Sequence, residues 1–134
     1  MSGIKNISAL VKGMTPKLNE GIYVFVSVKD ATAIPSASIL CEFKEAEGTT
    51  IIIDKNKADA LNLSYEYEAA WITLTIHSSL EAVGLTALFA NELAKHNISC
   101  NVIAAYYHDH IFVAVKDAEN AMEALTNLAQ NYTE

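Results

Sequence analysis

The sequence predicts an α/β protein, an α+β two-layer sandwich built as two small lobes with helices packed on one face of antiparallel sheet. Three observations carry that prediction. The stretch from Trp71 to Val115 reads as strand, crossover helix, strand, hairpin and strand, which is half of such a sandwich. The part before it reads as helix, strand, loop, hairpin and short helix. A length of 134 residues, 51% of them hydrophobic, suits one ordinary domain or two very small ones on a shared core.

Each element has a local cause. Ile4, Ile7, Leu10, Val11 and Met14 recur at helical spacing, and Gly13 and Pro16 end that opening helix. Ile22 to Val28 is apolar at nearly every position, as a strand buried on both faces is. Lys29 to Ser38, with Pro35 inside it, is the most loop-like segment and a candidate cover. Ile39 to Glu45 alternates with period two, and Glu47-Gly48 turns the chain into Thr49 to Ile53 as a hairpin. Asp54 is placed to cap a short helix reaching about Leu61.

The second half follows the same logic. Trp71 to His77 is a β-branched and aromatic strand. Leu85, Leu88, Phe89 and Leu93 line one face of a helix that His96-Asn97 stops. Ile98 to Tyr107 returns to strand composition, His108-Asp109 is read as the tight turn, and His110 to Val115 as the last strand. Asp117 caps a final helix whose inner face is Ala118, Ala121, Met122, Leu125 and Leu128. A tight boundary near Asn62 to Ala70 sets the expected lobes at residues 1–66 and 67–134.

Bulk properties exclude several classes. A net charge of −7 without any Lys/Arg cluster argues against nucleic acid, whose phosphates need a clustered basic surface. Cys41 and Cys100 form no Cys-x-x-Cys pair and sit in strands, which suits small thiols in a reducing compartment. The first residues lack the apolar core of a signal peptide, and no apolar run approaches the ~20 residues that span a bilayer. The expected location is cytoplasmic.

Chemistry has three candidate seats. Ser78, Ser79 and the backbone from Leu80 through Val83 and Gly84 to Leu85 lie where a strand hands over to a helix. The first amides of a helix lack internal partners and favour an anion such as a carboxylate. The plain alternative is that a serine caps the helix and Gly84 permits tight packing. His108 and His110, with His77, offer imidazoles, but no His-x-x-x-His helix pair or cysteine pair supports a metal ion. A nucleophilic Ser78 or Ser79 beside His77 lacks the Gly-x-Ser-x-Gly elbow, and no phosphate-binding glycine motif is present. Asp109 is an ordinary turn residue, or else a carboxylate that holds an ammonium while helix amides hold the other end of a zwitterion.

The run from Trp71 to Thr86, followed by Asn97 to Val113, resembles the ACT-domain superfamily, most closely small stand-alone prokaryotic ACT proteins. It is more distantly similar to the ACT repeats of the eukaryotic arginine sensors. The similarity extends to Gly21-Ile-Tyr-Val-Phe25 in the first half. It implies a ferredoxin-like βαββαβ ACT lobe in the second half and a divergent ACT-like first lobe. It also implies regulatory rather than catalytic function, with a ligand at Ser78 to Leu85. Asp109 occupies the position at which the arginine sensors meet the ligand's amino group. Many such loops carry an early glycine; here Ser79-Leu80-Glu81 stands there and only Gly84 remains.

The resulting expectation is a non-catalytic sensor for an amino acid or similar zwitterion, held by the Val83 to Leu85 amides and Asp109, with no cofactor and no metal. Open strand edges predict a homodimer or higher homo-oligomer. The rival expectation is a structural or adaptor protein that assembles through its lobes without an effector.

Overall fold

A computed structural model describes residues 6–76 and 83–133. The chain folds as two compact units, one of residues Glu20–Ala70 and one that joins the segment ending at Asn19 to the chain from Trp71 onward.

In the Glu20–Ala70 unit, strand β2 (Tyr23–Val28) lies between β4 (Thr49–Asp54) and the first residues of β5 (Glu68–Thr75). Strand β3 (Ile39–Lys44) pairs outside β4, giving the order β3–β4–β2. All pairings are antiparallel. Residues directly opposite share a face, so Val24, Val26, Ile51 and Ile53 form one apolar row, which packs with Ile34 and Ala58. Ala58 comes from helix α2 (Lys55–Ala60), where the Asp54 side chain accepts from the amides of Asn56 and Lys57 as an N-cap should. Phe25, Ile52 and Tyr67 occupy the other face, with the Phe25 and Tyr67 rings edge to face at 6.3 Å. The β2–β3 connection is not a crossover helix. It is two 3-10 turns, Ala31–Ala33 and Ser36–Ser38, the first capped by Asp30 through the Thr32 amide and hydroxyl.

In the other unit, helix α1 (Ile7–Gly13) is capped by Asn6 and leads into β1 (Thr15–Leu18), a strand that the helical pattern concealed. Its Pro16 lacks an N–H, yet among the described residues β1 pairs only with β5, and a strand edge tolerates that loss. Strand order is β1–β5–β7–β6, from β6 (Asn101–Ala104) and β7 (Asp109–Ala114), with helices α3 (Leu85–Lys95) and α4 (Ala118–Asn131). The helices and sheet bury Leu10, Val11, Ile72, Leu74, Phe89, Leu93, Ile111, Val113 and Leu125, each at 1% exposure or less. Of the expected inner face of α4, Ala121 and Leu125 are buried, while Ala118, Met122 and Leu128 are half-buried; Ala124 and Ala129 complete the contact.

The β6–β7 hairpin differs from the sequence expectation. The turn is Ala105 to His108, closed by the Ala105 amide donating to the His108 carbonyl, and Asp109 is the first residue of β7. The aromatic pair Tyr106-Tyr107 has strand composition, but both rings are exposed at this turn and meet edge to face at 4.9 Å.

Candidate functional site

Asp109 is paired in register with Ala104 and is only 8% exposed. Alternation along β7 places it with Ile111 and Val113 on one face, and His110 with Phe112 on the other. Burial raises its carboxyl above the ordinary value of 3.8, with His110 and then His108 pulling the other way. A carboxylate kept from water in this manner gains more from a cationic partner than an exposed one does.

Helix α3 begins without a side-chain cap. Gly84 stands in the left-handed region at φ +90°, and the Leu88 amide donates back to its carbonyl. Val83 is 85% exposed, whereas Leu85 is buried and anchors the first turn together with Phe89 and Leu93. The beginning of a helix, with its amides aimed outward and the positive end of its dipole, favours negative charge. Val83, Gly84 and Leu85 are thus described in the same unit as Asp109; Ser78, Ser79 and Leu80 lie outside the described residues, as does His77.

The other two candidate histidines, His108 and His110, separate. His108 donates from Nδ1 to the Ile76 carbonyl at 3.1 Å. His110 does the opposite: its Nδ1 lies 3.0 Å from the indole nitrogen of Trp71 and 3.1 Å from the Thr73 hydroxyl. An indole N–H only donates, so Nδ1 of His110 must accept and the neutral ring carries its proton on Nε2. Asn19 completes the chain by donating to the Thr73 hydroxyl at 2.9 Å and to the Trp71 carbonyl at 3.2 Å. Burial, and then the neighbouring His108, push the His110 imidazole below its ordinary value of 6.5. This Asn19–Thr73–His110–Trp71 network links positions more than 50 residues apart in sequence, which left it without a local signal.

Among the described residues no three His, Cys, Asp or Glu side chains converge as metal ligands. Cys100 is half-buried and its thiol is pushed up to about 11 by burial, so little thiolate exists near neutrality.

The Glu20–Ala70 unit contains a cleft of about 470 Å³ beneath the 3-10 turns, walled by Lys29, Asp30, Ile34, Glu42, Lys44 and Thr49. The loop that begins at Lys29 thus supplies one wall of this cleft, and Glu42, Lys44 and Thr49 supply a polar wall that was not foreseen.

Comparison with known proteins adds a family. One family model described as ACT domain matches residues 2–70, and a second, also described as ACT domain, matches residues 66–127. A search of curated proteins finds no match. Among solved structures, a Vibrio cholerae protein of unknown function, described as a possible transport protein, is 46% identical. It superposes with a TM-score of 0.84 over 96% of this chain and 100% of that one. The aspartate kinase of Clostridium acetobutylicum superposes with a TM-score of 0.68 at 12% identity, over 89% of this chain but 34% of the kinase. The regulatory subunit of aspartate kinase from Thermus flavus does so at 0.62 and 10% identity, over 84% of this chain and 95% of that one. These last two share the fold.

Proposed function

The chain belongs to the ACT-domain family, and we propose that it is a non-catalytic regulatory protein that binds a small zwitterion, an amino acid or a close analogue. The observation that carries this reading is Asp109. It is a nearly buried carboxyl at the start of a strand, its proton affinity raised by desolvation, in the same unit as a helix that opens on a left-handed glycine. A carboxylate for the ammonium, with the Val83 to Leu85 backbone and the neighbouring Ser78, Ser79 and Leu80 for the carboxylate, meets both charges of such a ligand. We propose further that the protein acts in the cytoplasm and as a homo-oligomer. Among the described residues no helix is long and apolar enough to cross a membrane.

The test is a thermal-shift screen of the amino acids against the wild type and an Asp109→Ala variant. A ligand at a hundred times its dissociation constant stabilises by ~2.7 kcal/mol, and the variant is expected to lose that protection. A folded protein that no amino acid protects would leave the assembly role in its place.

A further inference from the structure

The Glu20–Ala70 unit carries two charged side chains on the same face of its sheet as its apolar core. Lys44 stands opposite Thr49 and Glu42 opposite Ile51, so both share the face of Val26 and Val28. Ile39, opposite Ile53, completes that column on β3. A crossover helix would cover these positions; two 3-10 turns stand there instead, and the column lines the cleft of about 470 Å³. The wall is therefore graded. Lys44, with Lys29 and Thr49, forms a cationic end; Glu42 follows, and then Ile39 packed near Ile34. Successive same-face positions on a strand lie roughly 7 Å apart. Among the described residues the side chains of Lys29, Glu42 and Lys44 make no hydrogen bond and no ion pair. Asp30 is half engaged: its Oδ1 accepts from the Thr32 amide and hydroxyl, which leaves Oδ2 for a ligand.

We propose that this cleft binds a phosphorylated sugar, either free or as the ribose phosphate of a nucleotide. The site lies in the other unit from Asp109 and is independent of the zwitterion reading. Two ammonium groups at one end match more than a single negative charge. A phosphate monoester carries about −1.5 to −2 near neutral pH, where a carboxylate carries one. Lysine binds phosphate as a point charge, and the Thr49 hydroxyl adds a donor. Next along the wall, Glu42 and the free Asp30 oxygen only accept hydrogen bonds, which suits the hydroxyls of a sugar and repels a second anion. Ile34 and Ile39 then offer an apolar floor to ring carbons, or to a base where the sugar bears one. The volume falls within the ~300–1,000 Å³ of small-molecule sites. The net charge of −7 is screened beyond about 8 Å at physiological salt, so the two lysines govern at contact.

Calorimetric titration of the full chain tests the site with ribose 5-phosphate, adenosine monophosphate, inorganic phosphate and ribose. Both esters are expected to bind, inorganic phosphate more weakly and ribose most weakly. Lys29→Met and Lys44→Met each remove one charge-assisted contact and are expected to weaken both esters on the order of tenfold. Glu42→Gln is expected to weaken the esters while leaving inorganic phosphate no weaker. All three side chains are exposed, and circular dichroism of each variant verifies the fold. Adenosine monophosphate binding more tightly than ribose 5-phosphate identifies a nucleotide; equal or weaker binding identifies the free sugar phosphate. The proposal is overturned if neither ester binds at millimolar concentration, or if ribose binds as tightly as its phosphate. Ester affinities untouched by the lysine variants, or by Glu42→Gln, overturn it as well. Glu42 and Lys44 would then be inward charges that keep an edge strand from pairing.

Discussion

Two residues of β7 face opposite sides of the sheet and should respond oppositely to pH. The raised carboxyl of Asp109 means that the folded protein holds that proton more tightly than the unfolded chain. Stability is then greatest below the ordinary carboxyl value and falls as pH rises through the folded value. Asp109→Asn is expected to raise the melting temperature of the ligand-free protein at pH 7, with the gain vanishing towards pH 4; a melting series across that range measures it. His110 carries the reverse sign. Its imidazole is depressed, so the stability it contributes is present above 6.5 and is lost as pH falls through the folded value. His110→Gln can still accept the indole N–H but cannot be protonated, and is expected to flatten the melting temperature below pH 6.5. Asp109 was legible as a candidate from its sequence context, yet its burial was not. Two aromatic residues, Tyr106 and Tyr107, mimic strand and displaced the expected turn by about one hairpin step.

At the scale of elements, α3 shows what a sequence states openly. Leu85, Phe89 and Leu93 repeat at four-residue spacing, and the helix starts where that repeat starts. Gly84 precedes it at φ +90° with nothing near the place a Cβ would occupy. Substitution there costs conformation and not space. Gly84→Ala is expected to lower stability by about 1–2 kcal/mol in urea titration, with Gly84→Asn losing less. Strand β1 shows the converse. Its four residues include Pro16 and carry no alternation, and only pairing with Ile72 to Thr75 makes them a strand. A segment whose structure is supplied by a distant partner leaves no periodicity to read.

The whole molecule was legible chiefly through its strongest run, Trp71 to Val115, which carries the family's pattern. The first half was harder because two 3-10 turns stand where a crossover helix would give a 3.6-residue repeat. Those short turns leave room over the sheet for the cleft walled by Lys29 and Lys44. Self-association belongs to this scale as well. A dimer that dissociates on unfolding has a melting temperature that rises with protein concentration, by roughly 2–3 °C for each tenfold increase. Scanning calorimetry at two concentrations checks it, and an invariant midpoint counts against the dimer.

The chain has a single tryptophan, and its indole donates to His110. Nature has thereby wired a fluorophore to an ionisable ring at the junction of β5 and β7. A fluorimeter and an acid titration can follow that junction in unlabelled protein, while effector or partner is added to the same cuvette.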